Sequence, residues 1–164
     1  MSESDEDLTI RAEPRDDDAE GLISLHSSIY TTEFGLDGSY VEEMSAQFID
    51  FFVRKAPHER LWIIEKEGEI MGSMGVLRHS DDTAVLRWLL LHPGIRGRGL
   101  GKVLMREAIE FSRDSGYSRA ILWTLDILEA ASGIYRSFGF EKVEEEYRDK
   151  WGRLLLHQMY QLEL

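Results

Sequence analysis

The stretch RGRGLG at residues 96–101 decides how the rest of the sequence is interpreted. It lies between an apolar run and a segment whose apolar side chains recur every three or four positions, so it predicts a turn from a strand into a helix. Helix N-termini bind anions because their first N–H groups lack partners. Glycines let the backbone approach a phosphate closely, and Arg96 and Arg98 add cationic donors. The stretch therefore predicts a phosphate-binding turn.

Two nucleotide-binding motifs fail at this turn. The dinucleotide motif G-x-G-x-x-G, begun at Gly97, needs a glycine where the chain has Lys102. The P-loop needs serine or threonine where the chain has Val103. A turn that binds some other phosphate and an ordinary glycine-rich turn both remain open at this point.

The strand before the turn is the centre of the predicted fold. Residues 84–91 are almost continuously apolar, which is typical of a strand buried on both faces. Its single charge, Arg87, must find a partner or line a cleft. Outward from it, the patterns predict the order β-α-α-β-β-β-α-β-α-β-β, an α+β layout with helices against a mostly antiparallel sheet. We expect residues 1–7 to be a disordered acidic tail and residues 8–164 to form one domain.

Composition excludes several classes of function. The chain of 164 residues has no cysteine, so disulfides, thiolate metal sites and a cysteine nucleophile are excluded. No apolar stretch is long enough for a membrane span, and the acidic start is unlike a targeting signal. The net charge of -12 argues against nucleic-acid binding; it would attract a cationic substrate or simply aid solubility. We predict a cytoplasmic protein with neither a membrane nor a nucleic-acid partner, and no metal site, because a turn explains the two acids near His79.

Three motifs together resemble one family. Arg96, Gly99 and Gly101 satisfy the pattern [RQ]-x-x-G-x-[GA], the CoA-pyrophosphate motif of the GNAT superfamily of N-acetyltransferases. LLLHP at residues 89–93 is similar to the end of the superfamily's central strand, and ASGIYRSFGF at residues 131–140 resembles its A-x-x-x-Y-x-x-x-G-F element. The resemblance implies a single GNAT-type domain with a mixed, mostly antiparallel seven-stranded sheet, about four helices and splayed central strands.

The resemblance also implies an activity. We expect acetyl-CoA as the co-substrate and no metal, with the acetyl group passing to a primary amine of a small molecule or peptide by direct attack in a ternary complex. The alternative is a non-catalytic GNAT-like module that senses CoA or another ligand. Dimers are common in the superfamily, so a homodimer is one assembly that the resemblance allows.

A narrower likeness concerns the acetyltransferase half of MarR–GNAT fusion proteins. HSSIYTTEFG at residues 26–35, LR at 86–87, LWT at 122–124 and EEE at 144–146 are similar to that half. Only a short acidic segment precedes Leu8, so this likeness implies a stand-alone catalytic domain.

The CoA-binding residues follow from the family motifs. The backbone N–H of Leu89 would meet the acetyl carbonyl, and the backbone of Leu91 would pair with the pantetheine amides. The glycine loop would hold the pyrophosphate. The predicted CoA-binding residues are Leu89, Leu90, Leu91, Arg96, Gly97, Arg98, Gly99, Leu100, Gly101 and Lys102.

The catalytic residues are predicted less completely. Tyr135 matches the tyrosine that protonates the departing thiolate. The strand glutamate that some relatives use as general base is Val85 here, and the asparagine that many carry before the tyrosine is Leu128. His26 or Glu33 could act as the base instead, with a water chain as the remaining route. The predicted substrate-binding residues, chosen for the amine pocket, are His26, Tyr30, Glu33, Arg87 and Thr124.

Overall fold

A computed structural model describes residues 7–164. The predicted acidic tail lies outside the described residues, apart from Asp7, an exposed turn residue. In chain order the elements are β1 (Leu8–Arg11), α1 (Asp18–Thr32), α2 (Gly38–Arg54), β2 (Arg60–Lys66), β3 (Glu69–Arg78), β4 (Thr83–Leu91), a short 3-10 turn (Pro93–Ile95), α3 (Leu100–Asp114), β5 (Arg119–Leu125), α4 (Glu129–Ser137), β6 (Glu141–Lys150) and β7 (Arg153–Glu163).

The seven strands form one sheet in the order β1-β2-β3-β4-β5-β7-β6. Every neighbouring pair is antiparallel except β4 and β5, which run parallel. The predicted α+β class and the mixed, mostly antiparallel sheet are therefore confirmed. Strand β7 lies between β5 and β6, so the β6–β7 hairpin extends the sheet beyond β5 and β6 forms its edge.

Helices cover both faces of the sheet. Successive side chains of a strand point to opposite faces, and in β2 the residues Leu61 and Ile63 pack with α1 and α2, while Trp62 and Ile64 pack with α3. All four side chains are buried. This explains why the central strands are apolar at nearly every position rather than at alternate ones.

The central strands β4 and β5 separate after a short parallel contact. They pair only at Thr83 with Arg119, Ala84 with Ala120 and Val85 with Ile121. Beyond those pairs β4 continues along β3 and β5 continues along β7. The prediction of splayed central strands is confirmed, and the gap between them opens beside Leu86.

Helix ends define two loops of the chain. Helix α3 begins at Leu100, directly after the glycine loop. Helix α1 includes Thr31, whose hydroxyl donates to Ser27 O over 2.7 Å, and α2 begins at Gly38, so a short loop joins the two helices. Over the described chain, the helices are too short or too polar for a bilayer span.

Candidate active site

Two cavities meet in the gap between β4 and β5. The wide cleft has a volume of about 750 Å³ and runs from the glycine loop past β4 to α4. The narrow cavity has a volume of about 270 Å³ and lies between α1, α2 and the β6–β7 hairpin. The residues that line both are Tyr30, Leu86, Arg87, Trp88, Trp123, Thr124 and Leu128. A molecule in one cavity can therefore meet a molecule in the other at this gap.

The glycine loop ends the wide cleft with free backbone donors. Gly97 and Gly99 have left-handed φ angles of 78° and 77°, and a Cβ atom at either would meet nothing within 4 Å. The first helical hydrogen bond of α3 runs from Val103 N to Gly99 O at 3.2 Å. The preceding N–H groups have no partner one turn back, and Leu100, Gly101 and Lys102 line the cleft. The predicted anion-binding geometry is present.

The two arginines of the loop are bound by protein groups. Arg96 donates to both carboxylate oxygens of Glu33, at 2.7 and 2.8 Å, and its Nε donates to Leu91 O at 3.0 Å. Arg98 donates to Gly94 O at 3.1 Å. Arg96 lines the wide cleft, whereas Arg98 is not among its lining residues. Backbone N–H groups thus supply more of the anion site than the sequence suggests.

A β-bulge in β4 sets the backbone of the wide cleft. Gly75 pairs with Arg87 and Ser73 pairs with Leu90, so Trp88 and Leu89 together face Met74. Trp88 has a φ of 64°, and its carbonyl accepts a 2.6 Å hydrogen bond from Ser73 Oγ. A Cβ atom at position 75 would lie 2.6 Å from Trp88 Cε3, so only glycine fits there.

The bulge also fixes the Trp88 side chain. The indole stacks on Phe48 of α2, with ring centroids 4.2 Å apart. Strand periodicity did not predict the bulge, because Trp88 is neither glycine nor asparagine. The available signal was Gly75, a glycine inside a strand, which is typical of a close backbone approach.

Tyr135 lies on the buried side of α4 and lines the wide cleft. Burial raises the pKa of its phenol above the ordinary value, and the nearby phenols of Tyr30 and Tyr160 add to the shift. Within residues 7–164 its hydroxyl makes no hydrogen bond to protein, so the group is protonated and available to a ligand in the cleft.

His26 and Tyr30 of α1 form the wall of the narrow cavity. His26 is 1% exposed, and its Nδ1 lies 2.9 Å from Leu22 O, so Nδ1 carries the proton and Nε2 is the acceptor. Burial lowers the pKa of His26 to about 4, although the backbone groups of Leu22 and Trp88 act in the opposite direction. Burial raises the pKa of Tyr30 to about 12.

Glu33 is separate from this pair. It is the C-terminal cap of α1, it lines neither cavity, and the hydrogen bonds from Arg96 hold the pKa of its carboxyl below the usual range. His26, Tyr30 and Glu33 were all predicted to bind the substrate amine. The structure brings His26 and Tyr30 together, with ring centroids 6.3 Å apart, and turns Glu33 toward the glycine loop.

The narrow cavity contains charged residues that sequence patterns missed. Glu43 of α2 accepts hydrogen bonds from Trp151 Nε1 at 2.7 Å and from Lys150 Nζ at 3.1 Å. The guanidinium of Arg148 lies 4.8 Å from the Trp123 ring centroid. These contacts join α2 to a hairpin more than a hundred positions away, and no local motif indicates such a pairing.

Buried polar atoms without partners line the narrow cavity. Thr124 Oγ1, Trp88 Nε1, His157 Nε2 and His26 Nε2 have no hydrogen-bond partner in the described part of the chain. Arg87, an exposed residue at the edge of the cavity, also forms no ion pair or hydrogen bond with residues 7–164. Buried polar groups are normally satisfied, so this wall has the composition of a binding site for a polar ligand.

The Acetyltransferase (GNAT) family matches the chain over residues 20–140. The chain belongs to the GNAT acetyltransferase family. The match includes β4, the glycine loop, α3 and the tyrosine helix α4, which are the elements on which the sequence-based resemblance rested.

Relatives and solved structures agree with the GNAT assignment. Human N-acetyltransferase 8B is 36% identical over 105 residues, which make up 60% of this chain and 46% of that protein. The uncharacterized N-acetyltransferase YjgM of Escherichia coli (strain K12) is 32% identical over 119 residues, or 70% of this chain and 71% of that protein. The match thus spans less than half the length of the human relative.

The solved structure of yncA from Salmonella typhimurium, with its cofactor acetyl-CoA, covers 96% of this chain and 94% of that one. It superposes with a TM-score of 0.72 at 19% identity, which establishes the GNAT fold. The likeness to the acetyltransferase half of MarR–GNAT fusions stays a prediction, because these matches concern one acetyltransferase domain.

The two departures from the GNAT pattern have clear positions. Val85 of β4 is buried on the face of the sheet that α1 and α2 cover, so no carboxylate stands there. Leu128 precedes α4 and lines both cavities, where it contributes an apolar contact in place of an amide.

Proposed function

We propose that this GNAT domain transfers an acetyl group from acetyl-CoA to the primary amine of a small molecule or peptide, by direct attack in a ternary complex. The observation that carries the proposal is the meeting of the two cavities in the gap between β4 and β5. One cavity ends in an anion-binding loop and the other is lined by polar groups. Two substrates held there would react without a covalent enzyme intermediate.

The donor side is supported by the glycine loop and the bulge. The N–H groups of Leu100, Gly101 and Lys102 would hold the pyrophosphate of acetyl-CoA at the start of α3. The backbone of Leu89, Leu90 and Leu91 would bind the pantetheine arm, with Leu89 N–H directed at the acetyl carbonyl. The cleft volume of about 750 Å³ is of the size that cofactor sites usually have.

Tyr135 would act as the general acid. In the transfer, the amine nitrogen bonds to the acetyl carbon and the carbon–sulfur bond breaks. Tyr135 donates its proton to the departing sulfur and is reprotonated from solvent. The raised pKa of Tyr135 keeps the phenol protonated at neutral pH.

His26 is a better candidate than Glu33 for the proton acceptor. His26 lines the narrow cavity and its Nε2 has no hydrogen-bond partner in the described chain, whereas both Glu33 oxygens are bound by Arg96. Because the pKa of His26 is lowered to about 4, it stays neutral and would pass the amine proton through water to solvent.

A thiol-release assay with acetyl-CoA and a panel of primary amines tests the proposal. We expect CoA release that depends on both substrates and initial rates that intersect in a ternary-complex pattern. If acetyl-CoA binds and no amine of the panel triggers CoA release, the chain is the sensing module that the departures at Val85 and Leu128 suggest. The predicted cytoplasmic location and homodimer are separate proposals, which fractionation and light scattering would test.

A further inference from the structure

The charged residues around the narrow cavity differ in whether they form an ion pair. Its lining includes three cations and one acid, although the whole chain carries a net charge of -12. Lys150 pairs with Glu43, and Arg148 pairs with Glu146 outside the lining. Arg87 has no ion-pair partner between residues 7 and 164. Glu43, Glu59 and Asp50 act on Arg87 electrostatically from a longer distance, so the cavity presents a guanidinium whose hydrogen-bond donors are not taken up by a carboxylate of the described chain.

Unpartnered hydrogen-bonding groups surround the same space. Thr124 is 6% exposed and His157 is 4% exposed, and Thr124 Oγ1 and His157 Nε2 both lack a partner in the described chain. Trp88 Nε1 is a third such atom and can only donate. A buried donor without a partner costs on the order of 1–3 kcal/mol. A ligand with acceptor oxygens would recover that cost.

The size of the cavity limits the ligand. About 270 Å³ lies below the usual range for drug-sized ligands, so the cavity suits a molecule about as large as one amino acid. A folded protein surface or a long peptide would have to occupy the open end only.

We infer that the amine acceptor carries a carboxylate, and that Arg87 binds this carboxylate with help from the unpartnered donors around it; the acceptor class is a free amino acid. The inference rests on the proposed function only in treating the amine as the group that is acetylated; binding of the carboxylate by Arg87 does not depend on it.

The spacing along β4 fits this assignment. Arg87 stands just before the β-bulge that leads to Leu89, and it lines both cavities, so its long side chain can reach a carboxylate whose neighbouring amine faces the thioester. A guanidinium binds a carboxylate through two parallel hydrogen bonds, which fixes orientation as well as position.

The experiment compares matched acceptors. Each L-amino acid is tested beside its amide and its decarboxylated amine, with kcat/KM calculated on the free-amine concentration. We expect the carboxylated member to be preferred by about tenfold to a hundredfold, the range that a charged hydrogen bond supplies. Arg87→Gln should remove most of this preference, and Arg87→Lys should restore part of it. Arg113→Gln, an exposed charge at the end of α3, is the control and should keep it.

Calorimetry separates this inference from the proposed function. With CoA present, the amino acids should bind more tightly than their amides, and Arg87→Gln should abolish the difference. Carboxylate-dependent binding without turnover would support the Arg87 assignment while refuting acetyl transfer. Equal turnover or equal binding of amides and decarboxylated amines would overturn the inference and leave acetyl transfer standing. A preference that survives Arg87→Gln would also overturn it, as would binding of none of the three acceptor types.

Discussion

Arg96 and Glu33 form a bidentate ion pair that ties the end of α1 to the first residue of the glycine loop. The two N–O distances are 2.7 and 2.8 Å, and the side chains are 39% and 33% exposed. Arg96 Nε adds a bond to Leu91 O at the end of β4. One side chain thus fixes the loop against both a helix and the central strand, and it occupies both carboxylate oxygens of Glu33.

Glu33→Gln should leave catalysis nearly intact. We expect kcat to stay within about threefold of wild type, because a general base contributes at least ~100-fold and Glu33 lines neither cavity. The free energy of unfolding should fall by about 1 kcal/mol or less, since the pair is partly exposed. Steady-state kinetics and urea unfolding check both, with the exposed Glu110→Gln as control. A ~100-fold loss of kcat at constant KM for acetyl-CoA would assign the base role to Glu33.

Tyr135→Phe should slow the transfer without unfolding the protein. Removal of a general acid costs about 10²–10⁴-fold in kcat. Stability should change little, because the hydroxyl has no hydrogen bond within the described chain. Tyr160→Phe is the matched control, because the ring centroids of Tyr160 and Tyr135 lie 6.0 Å apart in the same core. Turnover of a good amine at the wild-type rate by Tyr135→Phe would remove the proposed acid.

Gly99→Ala should weaken CoA binding and lower stability together. A non-glycine residue at φ 77° costs about 1–2 kcal/mol, and the added methyl projects from the loop that we propose binds the pyrophosphate. We expect the Kd for CoA to rise by about tenfold, which equals ~1.4 kcal/mol. Calorimetry and thermal unfolding measure the two effects.

Gly133→Ala is the control for this change. Gly133 lies within α4, and a Cβ atom there meets nothing within 4 Å. Alanine should stabilise the helix by up to about 1 kcal/mol and leave the Kd unchanged. If Gly99→Ala and Gly133→Ala bind CoA equally well, the loop is not the pyrophosphate site.

Because of His26, the free energy of unfolding should decrease as the pH is lowered from 6.5 toward 4. Its pKa is lowered from 6.5 to about 4, so between these values the unfolded chain binds a proton that the folded chain refuses. This contribution to stability is present above pH 6.5 and is lost as the pH falls toward 4, by up to about 3 kcal/mol.

His26→Gln removes that titration. The difference in unfolding free energy between wild type and His26→Gln should therefore shrink or change sign as the pH falls from 7 to 4.5. Urea unfolding at several pH values measures it, and exposed His79→Gln serves as control. Parallel curves for wild type and His26→Gln over this range would show that His26 is not buried as a neutral group.

Local patterns were sufficient for most of the fold. The apolar run before the loop predicted a strand buried on both faces, and Ala84 to Leu86 fit that description. The prediction failed further along, where Arg87 is exposed and Leu89 and Leu91 are half-buried. The reason is the separation of β5, which leaves the end of β4 without a neighbour on one side. Strand separation depends on pairing partners, which a local pattern does not contain.

The candidate site likewise contains residues that local motifs predict and residues that only the tertiary structure brings together. The glycine loop and Tyr135 could be predicted because each belongs to a short motif. Glu43, Trp151 and His157 were missed, because they meet through the pairing of β7 beside β5 and the packing of α2 on that hairpin. The ion pair of Glu33 was also missed, since its partner Arg96 is 63 positions away.

Trp88 mechanically couples the two cavities. Its backbone shapes the strand segment that precedes Leu89, while its side chain lines the narrow cavity and its indole stacks on Phe48 of α2. A substitution that displaces the Trp88 indole is therefore expected to change the narrow cavity and the backbone of the wide cleft together.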